Sequence, residues 1–328
     1  MFMFIHRAIV QAIPLLFGST GEIITEKSGS LNLGIPGIMC VGGISGIASA
    51  FFYEQSLSDI SKINPFLAIM IPLLCSLICS MLMGLIYSFL TVTLRANQNV
   101  TGLALTIFGT GIGDFFGGSL IKLTNSDVAS ISVTATSKYF CATFPFADKL
   151  GWFGELFLDY GFLTYVCILI PILTAIVFKR TEVGLSLRAV GENPATADAA
   201  GINVTKYKYL STIIGSAIAG LGGFYYVMVY MNGGWSNSSP IIERGWLAVA
   251  LVIFSIWKPD FGILGSILFG GLYIAYLFIP GLNMGMQEIF KMLPYIVTIV
   301  VLIFTSVRKR REDQPPASLG LPYFREER

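Results

Sequence analysis

The chain has 328 residues, of which 54% are hydrophobic and only 12% are charged, and its formal net charge is +2. Soluble domains average about 25% charged residues, so this composition excludes an ordinary soluble domain. The small net charge says little about partners. Because the sequence has no basic tract with interleaved aromatic residues, nucleic acid is not expected as a partner.

Apolar stretches that approach or reach the ~20 residues needed to cross a bilayer recur along the chain. We therefore predict an all-α, polytopic integral membrane protein with about nine transmembrane helices. The predicted spans are residues 7–23, 33–53, 66–92, 99–118, 158–178, 209–231, 244–257, 262–279 and 288–306. The span at 244–257 is short and the one at 99–118 is rich in Gly and Thr, so we expect some helices to be short, broken or partly re-entrant.

The distribution of Lys and Arg predicts the orientation. Most of the 21 basic residues fall in segments that share one side of the membrane if the N-terminus is outside and the C-terminus is cytoplasmic. The sequence then divides into a transmembrane domain at 1–306 and a cytoplasmic tail at 307–328. Within the domain, the large connection at 119–157 lies outside and the polar connection at 179–208 lies in the cytoplasm.

The segment 179–208 is a long polar interruption between apolar spans in the middle of the chain. It carries the basic residues Lys179, Arg180, Arg188, Lys206 and Lys208. Most cytoplasmic connections in small membrane proteins are short, so a long one with helix-forming residues is a plausible docking surface for a soluble partner.

The fourth predicted span begins with amides and hydroxyls. Asn97, Asn99, Thr101 and Thr106 form this group. Because unpaired polar groups are costly in hydrocarbon, these side chains are expected to face the bundle interior or an aqueous path. They are our candidate solute-path residues. Hydrogen bonds between helices are the structural alternative, and Asn97 and Asn99 could instead cap a helix at the cytoplasmic mouth.

Catalytic and nucleotide-binding motifs are nearly absent from the sequence. His6 is the only histidine and lies at the start of the chain. The stretch 21–28 is a poor phosphate loop because Glu26 occupies the position that needs glycine. We therefore expect that the chain is not an enzyme, and that it binds neither a cofactor nor a metal ion.

Four blocks of sequence resemble the permease subunits of bacterial ABC importers in the branched-chain amino acid, ribose and simple-sugar class. The blocks are residues 26–39, 96–109, 184–203 and 243–254, in the order that the family has them. The third block is the most specific, and the second and fourth are most similar to the nucleoside-uptake branch. Pro36 and the pair Ser255-Ile256 depart from the family pattern, which leaves the substrate open.

The resemblance assigns a role to the polar segment. In such importers a short cytoplasmic coupling helix fits a cleft on the ATPase. Here Pro194 can begin a helix and Gly201 can end it, while 185–190 is expected to continue the preceding span. The residues expected to contact the ATPase are Gly184, Arg188, Gly191, Glu192, Asn193, Pro194, Asp198 and Gly201.

The resemblance also implies the partners. They are a separate ABC ATPase subunit that hydrolyses ATP, a second permease subunit in a heterodimer, and an extracytoplasmic solute-binding lipoprotein, together with membrane lipid. The expected location is the bacterial inner membrane.

The expected function is that of a permease subunit that forms the translocation path for a nucleoside or a related small polar solute. One alternative is a permease for a simple sugar or a branched-chain amino acid. Another is an ATP-independent secondary transporter. The second alternative would more often show paired intramembrane charges, and few are evident in the sequence.

Overall fold

The computed structural model describes residues 2–57, 59, 62–124, 130–144, 151–308 and 314–324. Nearly all regular structure in these residues is helical. The α-helices are α1 (Phe2–Glu26), α2 (Ile35–Ser56), α3 (Pro65–Ser88), α4 (Gln98–Thr124), α5 (Thr134–Phe140), α6 (Trp152–Phe157), α7 (Phe162–Arg180), α8 (Glu182–Glu192), α9 (Pro194–Ala199), α10 (Val204–Tyr225), α11 (Ser239–Phe254), α12 (Pro259–Ile274), α13 (Met284–Lys291) and α14 (Leu293–Arg308).

Eight helical segments within the described residues are long and apolar enough to cross a membrane. They coincide with eight of the nine predicted spans and confirm the all-α polytopic fold. The remaining prediction, 244–257, corresponds to α11, which has 16 residues and is shorter than the ~20 that a perpendicular crossing needs. The Gly- and Thr-rich fourth span is one continuous helix of 27 residues, so the break considered there is not present.

Irregular helix occurs at other positions. A π-helical turn at Phe89–Thr93 extends α3 and another at Tyr226–Tyr230 extends α10, while a 3-10 turn at Ala275–Phe278 follows α12. The last predicted span is divided between α13 and α14, which meet at Met292. Such interruptions are tolerated at membrane depth where neighbouring protein satisfies the backbone.

The centre of the bundle is built from α1, α2 and α10, which are mostly buried. Helix α10 packs against both α1 and α2, and α3 and α12 pack around them. Close backbone approach makes this possible: a Cβ added to Gly42 of α2 would be 2.4 Å from the carbonyl oxygen of Gly220 in α10. By contrast, α3, α4 and α14 expose many large apolar side chains, which suits contact with lipid or another subunit.

A short antiparallel pairing joins the predicted outer segment to the turn after α10. Strand β1 (Ile131–Ser132) pairs with β2 (Gly234–Trp235), with Ile131 opposite Trp235. The predicted outer segment 119–157 also contains α5 and α6. Ser126, a candidate position in this segment for a label that tests the predicted topology, lies outside the described residues.

The polar segment 179–208 is folded into α8, α9 and the first turn of α10. The expectation that 185–190 continues the preceding span is wrong, because α7 ends at Arg180 and Thr181 has an extended backbone. The Thr181 hydroxyl oxygen accepts a hydrogen bond from the Gly184 N–H at 3.1 Å, so Thr181 caps a new helix.

Candidate functional site

Capping residues at its two ends determine the boundaries of α9. The Asn193 side chain accepts a hydrogen bond from the Thr196 N–H at 3.0 Å, and Pro194 occupies the first helical position, where no N–H is needed. After the helix, Gly201 has φ +85, a left-handed conformation that glycine adopts at little cost. The predicted start at Pro194 and stop at Gly201 are confirmed.

One face of the α8–α9 segment is open to solvent. Leu185 is 62% exposed, and Arg188 and Glu192, three and seven positions further along the helix, are exposed on the same face. One apolar and two charged side chains thus share an exposed helical surface. That mixture is chemically suited to a partner groove that has an apolar floor and charged edges.

The opposite face of α8 is packed on the turn between α1 and α2 (residues 27–34, the α1–α2 turn). Leu187 and Val190 are buried, and Gly191 approaches the Lys27 backbone closely enough that a Cβ would be 2.2 Å from the Lys27 carbonyl oxygen. The segment proposed to couple to the ATPase is therefore in direct backbone contact with the end of α1.

The tail also joins this contact. Both the N–H and the hydroxyl of Ser318 donate to the Gly191 carbonyl, at 3.0 and 2.6 Å, and the Gly320 N–H donates to the Gly29 carbonyl at 3.2 Å. The described part of the tail, 314–324, therefore lies across α8 and the α1–α2 turn. Ser318 is buried there, so a cysteine at this position would be a poor target for a water-soluble label that tests the orientation of the tail.

Two of the charged residues that are expected to contact the ATPase, Glu192 and Asp198, also lie beside polar side chains of this chain. Burial lowers the pKa of the Lys27 ammonium from its usual value, while the nearby carboxylate of Glu192 acts in the opposite direction. Asp198 accepts a hydrogen bond from the Tyr323 hydroxyl at 2.9 Å. Of the three charged residues predicted to face the ATPase, Asp198 therefore also helps to hold α9 against the tail, and Glu192 lies close enough to Lys27 to favour its charged form.

A buried polar network surrounds the α1–α2 turn. The Asn32 N–H donates to Glu22 Oε1 at 3.0 Å, and the Leu31 N–H donates to Gln98 Oε1 at 2.7 Å. The Tyr87 hydroxyl donates to the Leu31 carbonyl. Side chains of α1, α3 and α4 thus hold the turn together.

The four candidate solute-path residues lie at the start of α4, next to this turn. Asn97 is exposed and accepts a hydrogen bond from the Val100 N–H at 3.1 Å, so it acts as a cap, and Asn99 is also exposed. The Thr101 and Thr106 side chains are buried. Their hydroxyls donate to the carbonyls of Asn97 and Leu33, both at 2.8 Å.

Sequence reasoning missed a pair of carboxyl groups on α1. Glu22 and Glu26 are 1% and 4% exposed and are one turn apart, so they share a helix face. Glu26 accepts a hydrogen bond from the Trp257 indole N–H, whereas Glu22 Oε2 and Asn32 Nδ2 are buried without a partner in the described structure. The spacing of four between the two glutamates is the signal that the sequence offers for this pair.

A second buried polar group lies on α11. The Arg244 guanidinium donates to the Pro240 carbonyl at 2.7 Å and to Gln11 Oε1 at 3.2 Å, and it lies 4.3 Å from the centre of the Tyr226 ring. This combination of hydrogen bonds and a cation–π contact stabilises a buried charge.

Within the described residues, no group of three His, Cys, Asp or Glu side chains could hold a metal ion.

Comparison with known proteins places this arrangement in a family. The chain is 30% identical to the nucleoside ABC transporter permease protein NupC of Lactococcus lactis, over 91% of this chain and 90% of that protein. It is 28% identical to the guanosine ABC transporter permease protein NupQ of Bacillus subtilis, over 99% and 97% of the two chains. It is also 28% identical to a putative glucose ABC transporter permease protein of Haloferax volcanii, over 93% and 92%.

No solved structure matches the chain significantly. The family model for the permease component of branched-chain amino acid transport systems matches residues 4–302, which include the whole helical bundle up to α14. Together with the multi-pass helical fold, this match shows that the chain belongs to the family of permease components of the branched-chain amino acid transport system type.

Proposed function

We propose that this chain is one of two permease subunits of an ATP-driven importer and that the imported solute is a nucleoside or a related small polar molecule. ATP is hydrolysed on a separate ATPase subunit, which docks on the α8–α9 segment. An extracytoplasmic lipoprotein delivers the solute on the opposite side of the membrane.

The proposal that α8 couples the ATPase to the bundle rests on its two faces, of which one is exposed and the other is packed against the protein. Its outer face presents Leu185, Arg188 and Glu192 to solvent, while Gly191 on its inner face contacts the α1–α2 turn. A partner that pushes on the outer face would move the turn, because closely packed backbones have no free space to absorb the motion. The turn adjoins Thr106 of α4, which is on the proposed solute path.

The proposed orientation places the α8–α9 segment and the tail in the cytoplasm and the N-terminus outside. Two observations support this arrangement. The segment 179–208 is rich in basic residues, which membrane proteins tend to keep in the cytoplasm, and the tail contacts α8. The outer segment 119–157 is then available to the lipoprotein.

The names of the relatives support the nucleoside as substrate, since two of the three permeases named above are named for nucleoside or guanosine transport. Buried hydroxyls and amides near the α1–α2 turn suit a ligand that has many hydrogen-bonding groups. The similar permease of Haloferax volcanii is named for glucose, so a simple sugar is the second candidate.

Reconstituted transport tests the proposal. The purified permease pair, the ATPase and the lipoprotein are placed in proteoliposomes that contain ATP, and uptake of labelled guanosine is measured with unlabelled guanosine, glucose or leucine as competitor. We expect ATP-dependent uptake that only guanosine suppresses. Suppression by glucose would favour the sugar permease. Uptake without ATP or the ATPase would contradict ATP coupling and favour a secondary transporter.

A further inference from the structure

A polar cavity of about 670 Å³ lies beside the α8–α9 segment. Its walls come from three parts of the chain that are distant in sequence: the end of the π-turn after α3, the connection from α9 into α10, and the tail. Representative lining residues are Thr91, Arg95, Asp198, Lys206, Lys208 and Tyr323. Asp198 and Gly201, which are expected to contact the ATPase, border the cavity, but no role described above uses its interior.

Lys208 is the most unusual residue of the lining. Its side chain belongs to the first turns of α10 and only 3% of the residue is exposed. Among the residues that the structure describes, none forms an ion pair or a hydrogen bond with its ammonium group. A buried cation without a counter-charge is costly, so a missing anionic partner would explain its position.

Other positive groups converge on the same cavity. Lys206 is exposed on its wall, and the cavity also borders the N-terminus of α10. There the Asn203 side chain accepts a hydrogen bond from the Lys206 N–H at 2.9 Å, while the N–H groups of Val204 and Thr205 have no intrahelical acceptor and favour anions. Arg95 has φ 58, and its guanidinium lies 4.6 Å from the centre of the Phe324 ring in the tail.

Among the residues that the structure describes, Asp198 supplies the one carboxylate of the lining. It accepts the Tyr323 hydroxyl at 2.9 Å, so its charge is partly engaged at the tail side of the cavity. Three cationic side chains together with a helix N-terminus therefore outweigh one hydrogen-bonded carboxylate, and the field inside the cavity favours an anion.

The geometry points to a phosphate-binding site in this cavity, with Lys208 as the central ligand and with Arg95, Lys206 and the N-terminus of α10 around it. The phosphate belongs either to a soluble phosphorylated molecule or to the headgroup of an anionic lipid. Either source supplies the multiply charged oxygens that buried ammonium and backbone N–H groups bind best. This inference does not depend on the solute that the permease transports.

An anion bound at this site would stabilise the position of the α8–α9 segment. The cavity wall includes Asp198 at the end of α9 and Tyr323 of the tail, and the same tail donates to Gly191 through Ser318. An anion bound to Lys208 would hold the tail, α9 and α10 together. Binding is therefore expected to raise the thermal stability of the protein.

The test uses the full-length protein in nanodiscs of phosphatidylcholine alone or with added phosphatidylglycerol. The probe in the first arm is pyrophosphate, compared with potassium chloride at the same ionic strength, and calorimetry measures its affinity. We expect pyrophosphate, but not chloride, to raise the Tm of the wild type. The substitution Lys208→Met removes the charge at similar length and should weaken binding by about tenfold or more, because a hydrogen bond to a charged group is lost.

Matched variants separate this site from a general charge effect. Lys138→Met removes one exposed lysine on α5 and should leave the pyrophosphate affinity unchanged. Lys206→Gln alters an exposed lining residue and should weaken binding severalfold, so the site can be tested even if Lys208→Met does not fold. Without a ligand, Lys208→Met should be at least as stable as the wild type, because it removes an uncompensated buried charge.

The two arms distinguish the sources of phosphate. If pyrophosphate has no effect but phosphatidylglycerol raises the Tm in a Lys208-dependent way, the occupant is a lipid headgroup and the site stands. The proposal is overturned if neither ligand stabilises the wild type. It is also overturned if both Lys208→Met and Lys206→Gln respond to the ligands as the wild type does.

Discussion

Gly191 and Lys27 are so close that a Cβ on residue 191 would lie 2.2 Å from the carbonyl oxygen of Lys27. Real Cβ atoms do not approach an oxygen that closely, so only glycine fits here without movement of the backbone. The contact joins α8, on the proposed ATPase side, to the end of α1. It offers a short mechanical link between the cytoplasmic surface and the centre of the bundle.

The first prediction concerns this link. Gly191→Ala should push α8 away from the α1–α2 turn and reduce solute-stimulated ATP hydrolysis by the assembled complex, even where the ATPase still binds. Gly118→Ala is the matched control, because a Cβ at Gly118 meets nothing within 4 Å and alanine favours helix. ATPase activity with and without loaded lipoprotein would be measured for both variants. Normal stimulation in Gly191→Ala would contradict the link.

The second prediction concerns docking of the ATPase. Arg188 is exposed on the outer face of α8, so Arg188→Glu should weaken assembly with the ATPase without affecting membrane insertion. Lys138→Glu makes the same charge reversal at an exposed position on α5 and should leave assembly unchanged. Co-purification of the ATPase with the tagged permease measures the effect. Equal recovery with both variants would show that the α8 surface does not carry the contact.

Local signals in the sequence were sufficient for much of the fold. Long apolar runs predicted eight membrane-length helices, and Pro194 and Gly201 marked the limits of α9. The break between α7 and α8 was not predicted, because Thr181 carries neither the rigidity of proline nor the freedom of glycine. Its role depends on a hydrogen bond to Gly184 that only the folded chain reveals.

The position of the tail and the partners of the buried carboxyl groups depend on contacts between residues that are far apart in the sequence. Ser318 and Gly191 are 127 positions apart, and Trp257 and Glu26 are 231 positions apart. Neither pair has a periodic or motif-like signature. The tail was therefore predicted only as a charged cytoplasmic extension. No local sequence pattern indicates that Glu22 accepts a hydrogen bond from Asn32 or that Glu26 accepts one from Trp257.

The third prediction concerns orientation. Ser236 and Ala317 are exposed on segments proposed to lie outside and in the cytoplasm. Cysteines placed at these positions should react with an impermeant maleimide from opposite sides of intact cells. Burial raises the pKa of the native Cys141 thiol, which lowers its thiolate fraction and its reactivity at neutral pH, and a Cys141→Ser background removes the remaining signal. Equal labelling of both positions would contradict the proposed topology.

The last prediction concerns the solute path. Replacing Thr101 and Thr106 with Val keeps their shape but removes two hydroxyls, so uptake of labelled guanosine per folded protein should fall. Thr106 also donates to the Leu33 carbonyl, and loss of that bond alone should cost about 1–3 kcal/mol of stability. Stability must therefore be measured separately, by thermal unfolding in detergent.

Thr110→Val provides the control for this experiment. Its hydroxyl donates to the Thr106 carbonyl at 2.8 Å, one turn further along α4, so the variant removes a comparable helical hydrogen bond away from the proposed path. It should leave uptake unchanged. If the double variant at Thr101 and Thr106 has reduced stability but normal uptake per folded molecule, both hydroxyls are structural. The solute must then pass along other residues, for which the unpaired polar atoms of Glu22 and Asn32 are the nearest candidates.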